Sequence, residues 1–401
     1  LTMSFPACKH RKPKAKNSRR DGLSWLAAEP YRVFFASGAL WSLIGVSLWP
    51  LFYAQRLSWS PNLVHSRLMI EAFAGAFVVG FLGTAGPRMA TAPRLTPAEL
   101  LWLFGLHQAS AICHLRQQLV WGDACFAALL GSLLLCLLIR VAKFRKDPPP
   151  PQMLLALAGL ICGLSGAILH ATGASLRGPQ IFRLSNLLLD QGLLLPPILG
   201  IGSFVFPRML GGEFGEPKTA AQTRTKLLRA LAAALLLIGS FFLEAFGWVM
   251  LGYAIRAFVA AGYLLIEVSW RPRQGGTLTS GLFWALLIGW LGLVLPPFHY
   301  TQHVAIEHLL YLGGFGMLIL IVGSRVLFGH SGDLEGFFVK SWWVRLLLFL
   351  GILAAVTRAT PAWLPATTVS HHIYAAWTWG ALSLLWLIWH RKRFAKRDDT
   401  E

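Results

Sequence analysis

The sequence predicts an all-α fold, a polytopic transmembrane helix bundle of about twelve spans, and three observations carry that prediction. Only 13% of the residues are charged while 55% are hydrophobic, and the mean hydropathy is +0.57. A soluble domain carries roughly 25% charged residues. Apolar runs recur from Val33 to the C-terminus with no polar block long enough to fold separately. The cations sit in the short connections, crowded and sparse by turns, which is how a multi-span chain records its orientation.

The first element is a basic arm, residues 1–30, expected to lack structure. Its cluster between residues 9 and 20 suits anionic headgroups, where each Lys or Arg contributes about 1 kcal/mol. The arm has neither the apolar centre nor the small-residue cleavage site of a secretory signal. A span needs about 20 apolar residues, and breaks at Pro, Gly and Arg divide residues 31–390 accordingly. The first six spans are 33–53, 66–85, 97–115, 120–144, 153–173 and 184–206. The second six are 227–246, 247–270, 281–297, 303–328, 343–358 and 372–389, and a charged tail, 391–401, follows.

With the N-terminus inside, the inner segments hold the arm, Arg88, Arg94, the cluster at 140–146, the cations of 208–229, Arg271, Arg273, Lys340, Arg345 and the tail. The opposite side has Arg56, Arg116, Arg177, Arg183 and Arg358. The asymmetry predicts an even span count with both termini in the cytoplasm of a cell whose bacterial cytoplasmic membrane holds the protein. It also reassigns the net charge of +19, a value otherwise typical of nucleic-acid binding, to the lipid bilayer. Five cysteines without C-x-x-C spacing argue against a disulfide framework or structural zinc site. No Walker A, G-x-S-x-G or H-E-x-x-H motif is present, which disfavours an ATP-driven pump or a membrane hydrolase.

Pro-Arg-Met occurs at 87–89 and again at 207–209, and Arg325 closes the tenth span. Arg88, Arg208 and Arg325 are thus spaced by 120 and 117 residues, four spans each time. Two readings stay open: three four-helix units, or simply the arginine expected at any inner helix end.

The topology sorts the histidines. His10, His330 and His390 fall on the inner side, whereas His65, His107, His114, His170, His299, His303, His308, His371 and His372 gather towards the outer one. Ionisable groups in a membrane face a bundle interior or a cavity, and neutral imidazole is the commonest protein metal ligand. Nine imidazoles in one leaflet therefore point to a polar or metal-bearing site. His299, His303 and Glu307 form one stripe if the tenth helix begins early, and His308 lies on a neighbouring face. His65 shares a face with Met69, and His107 with His114. Of the adjacent His371 and His372, at most one can face a shared site. The competing reading of any single one is an interfacial side chain bonded to water or headgroup.

Charged residues inside spans form a second group. Arg67 and Glu71 are spaced to pair on one helix, and Arg256 pairs with Glu244 or Asp190 in the structural reading. In the functional reading they clamp haem propionates or carry protons. The clusters Gly75, Gly80, Gly83, Gly86 and Gly313, Gly314, Gly316 allow close approach of helices or of a flat macrocycle. The 17 Trp residues fit interfacial belts.

At three places the residues resemble the NnrS family, haem- and copper-containing membrane proteins linked to nitric oxide metabolism. Glu29-Pro30-Tyr31-Arg32-Val33-Phe34-Phe35 followed by Ala39-Leu40-Trp41 is similar to that family's R-P-F-F entry into its first helix. His65 to Met69, with G-F-L-G-T-A-G-P from Gly80 to Pro87, resembles its W-H-A-H-E-M helix ending G-F-L-L-T-A-x-P. His308 onward, closing on S-R-V-L-F-G-H-S-G from Ser324 to Gly332, resembles its H-A-L-T-x-G-A helix ending T-R-V-x-L-G-H-T-G, the most specific of the three. The departures are Arg67 at the family's second His of that helix, Leu68 at its Glu, and G-S-F-V-F-P at 202–207 in place of G-R-V-I-P. One ligand of a paired set is replaced, so haem-only, copper-only and metal-free forms all stay open.

The resemblance implies an integral membrane haem b protein, with copper as a second metal, acting in nitric oxide metabolism or the nitrosative-stress response. On that basis His65 and His308 bind the haem, His299, His303 and His372 are further metal ligands, and nitric oxide is a candidate diatomic ligand. The alternative class is a transporter or binding protein for a small solute, without metal. A third is a structural or assembly protein without turnover.

Overall fold

The computed structural model describes residues 18–212, 215–270 and 275–396. The described residues form thirteen principal helices and no strand. They are α1 Ser18–Ala28, α2 Tyr31–Tyr53, α3 Asn62–Met89, α4 Pro97–Leu115, α5 Leu119–Phe144, α6 Met153–Ala171 and α7 Pro179–Met209. The rest are α8 Ala220–Ala245, α9 Val249–Glu267, α10 Thr277–Val294, α11 Pro296–His330, α12 Trp342–Ala362 and α13 Thr368–Ala395. Helices α2 to α13 coincide with the twelve expected spans. Ten of these helices are long and apolar enough to cross a membrane. The other two, α4 and α13, are diluted by His, Gln, Glu and Trp. The molecule is a polytopic helical bundle.

Local chemistry explains most boundaries. Thr96 caps α4 through a reciprocal box with Glu99, and Pro97 occupies the first turn, where its missing N–H costs nothing. Between α8 and α9 the chain turns at Gly247, whose φ of 102° suits a residue without a side chain. Thr219 caps α8, starting it seven residues before the expected span and extending it as a polar stalk. One segment departs from the expected structureless arm: Ser18–Ala28 is helical, because Leu23, Leu26 and Ala27 give it an apolar edge that packs on the core. Residues 1–17 and 397–401 lie outside the described residues.

The bundle closes on itself, since the last helix, α13, packs along the first span, α2. One terminal network ties that seam. The Arg32 guanidinium donates to the carbonyls of Arg393 and Phe394, both at 2.9 Å, so the start of α2 and the end of α13 lie at one end of the bundle. Glu29 is buried there among Arg32, Arg88 and His330. Burial alone pushes its carboxyl up, but the hydrogen bonds and charges of His330 and Arg32 prevail and hold it at about 2.

Three helices are central. In α3, α7 and α11 78% of the most apolar stretch is buried, against 28–56% in the other seven membrane-length helices. Each of the three also widens into a π-helix midway, at Leu68–Ala74, Leu188–Gly192 and Leu309–Gly316. These begin at residues 68, 188 and 309, steps of 120 and 121, so the four-span period of the arginines recurs in backbone geometry. Beside the third, α10 approaches so closely that a Cβ on Gly292 would lie 2.3 Å from the Leu310 nitrogen. Packing by absent side chains is how helices associate where no water drives them together.

Candidate functional site

A π-helix inserts an extra residue into a turn, and such insertions are frequent at functional sites. Here the π-helices of α3, α7 and α11 border one cavity of about 460 Å³, to which they contribute Phe73, Asp190 and Tyr311 among others. Cofactor and ligand pockets range over roughly 300–1,000 Å³ and are mostly apolar with a few convergent polar groups. The lining follows that pattern: Trp49, Phe73, Phe315 and Trp379 supply aromatic surface, and His65, His308, His372, Arg183, Asp190, Glu307 and Arg358 supply the polar set.

The cavity thus brings together three of the five histidines the sequence singles out. His65 stands in the first turn of α3, where its Nδ1 donates to the Gly45 carbonyl of α2 at 2.9 Å. His308 lies at the threshold of the third π-helix, and its Nδ1 donates to the Val304 carbonyl at 2.6 Å. A carbonyl can only accept, so in both rings Nδ1 carries the proton and Nε2 keeps its lone pair. His372 is held by Tyr53, with Nδ1 and the phenol oxygen 2.9 Å apart, and packs edge-on against Trp49 with centroids 4.7 Å apart. Among the described residues no hydrogen bond reaches Nε2 of any of the three. Metal-ligating histidines are oriented in this way, one nitrogen fixed by an outer partner and the other free.

The remaining histidines disperse. His299 and His303 do not line the cavity, and the expected stripe with Glu307 does not form. After Pro296 and Pro297 the chain follows a 3₁₀ path and breaks at His299 (φ −134°, ψ 52°), so regular α-helix starts only at His303. His299 is exposed, and His303 stacks on Tyr300 with centroids 4.9 Å apart. His371 turns to the Thr367 carbonyl at 3.1 Å. His107 has both nitrogens engaged, by the Ala72 carbonyl and by Gln108, each at 2.9 Å. His170 lies against Ser185. Position along a span groups histidines by depth; the helix face then decides which of them meet.

Two buried charge networks sit beside the cavity. In one, Glu244 binds both Arg183 and Arg256, and Arg183 also reaches Glu307 at 3.2 Å. The Tyr253 hydroxyl donates to Glu307 as well. The expected Arg256–Glu244 pair is therefore present, and Arg183, which hydropathy leaves in a connection, is drawn in as α7 starts at Pro179.

In the other network, Arg67 lies 2.8 Å from Asp123 and 3.6 Å from Glu71. Glu71 accepts from Ser110 at 3.1 Å and lies 2.7 Å from His114 Nε2. Oxygens and a nitrogen of Glu71, His114 and Asp123 fall within 4.8 Å of one another, as metal ligands would. The Arg67 guanidinium, however, already lies beside both carboxylates, in ion-pair distance of each. Arg67 is absent from the cavity lining and serves this ion-paired network instead. Asp123, in the apolar run of α5, gives no spacing signal that sequence reasoning could have used.

Comparison with known proteins adds one match: the family model described as NnrS protein aligns with residues 25–397, nearly the whole chain. No curated protein matches.

Proposed function

Since the chain belongs to the NnrS family, we propose that it is a membrane haem protein of nitric oxide metabolism or the nitrosative-stress response, with haem b held in the π-helix-bordered cavity by His65 and His308. The observation that carries this reading is the shared state of the imidazoles, each with Nδ1 bonded and Nε2 free, around a cavity of cofactor size with aromatic walls. His372 is the further metal ligand in this proposal, and it is where copper would be held. His299 and His303, away from the cavity, take no part. Bound haem would supply redox chemistry at its iron and a site of interaction for a diatomic molecule such as nitric oxide. The protein's own share is to fix the imidazole tautomers, to exclude water with Trp49, Phe73, Phe315 and Trp379, and to keep acid and base groups such as Asp190 and Glu307 at the wall.

In the proposed placement the protein lies in a bacterial cytoplasmic membrane with the end where α2 begins and α13 finishes facing the cytoplasm. Fusing a reporter active only outside the membrane to residue 401 tests this; activity of that fusion would reverse the orientation.

Detergent-purified protein is expected to show a Soret band, a reduced-minus-oxidised α-band and stoichiometric iron. Well-folded protein recovered from haem-replete cells without iron or copper would sink the haem reading and favour a metal-free transporter of a small solute.

A further inference from the structure

The arginines near the cavity differ in one respect. Arg67 is matched by Asp123 and Glu71, Arg183 by Glu244 and Glu307, and Arg256 by Glu244. Arg358, in the last turn before Ala359 on α12, lines the same cavity as His65, His308 and His372. Among the described residues no carboxylate lies within 4 Å of it, and it makes no hydrogen bond there.

A guanidinium cannot shed its proton, and that of Arg358 is half-buried beside a mostly apolar lining, where an opposite charge offsets the cost of removing it from water. Neither carboxylate of the cavity fills that role: Glu307 is committed to Arg183 and Tyr253, and Asp190 forms no ion pair with Arg358. No carboxylate of the described residues thus reaches Arg358, which leaves its guanidinium open to an anionic group of whatever occupies the cavity. The fork of N–H donors matches a carboxylate in bidentate geometry. The aromatic walls, with Trp49 and Trp379 in the same lining, call for an extended apolar body.

We propose that Arg358 binds the carboxylate of the cavity's ligand, an amphipathic molecule with a broad apolar body and an anionic edge. This rests on the haem reading above, haem b being such a molecule with two propionates. Arg358 is a binding and positioning residue in this account. It sets which edge of the ligand faces the end of α12.

The test titrates detergent-purified apoprotein with haem and with haem dimethyl ester, whose propionates carry no charge, for the unsubstituted protein, Arg358→Gln and Arg358→Lys. Binding is followed by the Soret absorbance. A charge-assisted hydrogen bond lost from a site of this kind corresponds to an affinity loss of about 10- to 100-fold. Arg358→Gln should show that loss for haem, hold the ester within about threefold of the unsubstituted protein, and leave Arg358→Lys between the two. Ester binding by the variant doubles as the control for folding. Equal effects on haem and ester, or none on either, overturn the carboxylate assignment while the haem reading stands. An unsubstituted protein that binds neither probe saturably removes both.

Discussion

A histidine becomes a candidate ligand here through its neighbours. His65 and His308 each spend Nδ1 on a backbone carbonyl, and His372 spends its own on Tyr53. His107, with both nitrogens engaged, has nothing left to offer. The sequence ranked His65 and His308 through family resemblance and could not separate His372 from His299 or His303, because that distinction depends on which helix face meets the cavity. At the far end of the bundle, Glu29 makes a pH-dependent claim. Its carboxyl is held at about 2 against an ordinary value of 4.5, so the stabilisation it provides is complete above about 4.5 and is lost as pH falls towards 2. The thermal midpoint of the detergent-solubilised protein should fall across that interval, and Glu29→Gln should flatten this part of the curve. A fall of equal size in the variant would assign the acid sensitivity to other groups.

Among the elements, ten of the twelve expected spans were legible because hydropathy is a local property that a membrane-length helix satisfies by itself. The π-helices were not, since a single inserted residue leaves composition and apolar pattern nearly unchanged. They nonetheless decide where side chains point. Deleting Leu310 from the third π-helix would restore α register and rotate everything N-terminal to it on α11 by about 100° relative to the rest, a single residue's turn of an α-helix. His308 would then leave the cavity. The expected result is an unchanged far-ultraviolet circular dichroism spectrum with loss of most bound haem. Full haem occupancy in the deletion protein would show that the π-helix does not position the ligand. The Arg67 network adds a second illegible feature: its partner Asp123 comes from α5, two spans away in sequence. The i,i+4 spacing revealed only the Arg67–Glu71 contact.

At the scale of the whole molecule, the central helices α3, α7 and α11 bring the second, sixth and tenth spans together, and α13 closes the bundle against α2. The four-span period was visible as three arginines, and it acquires a physical basis in three buried helices that each carry a π-helix at the cavity. Leaflet sorting placed nine histidines on one side, yet one cavity can admit few of them, and its lining includes His65, His308 and His372. The account therefore depends on one distinction, between histidines that line this cavity and those that share its depth but not its walls. The most direct measurement is the haem content of four purified single variants relative to the unsubstituted protein. His65→Ala and His308→Ala should each lose most of the bound haem, while His299→Ala and His303→Ala should retain it nearly in full. Equal haem content in all four variants would contradict the assignment of the cavity as the cofactor site.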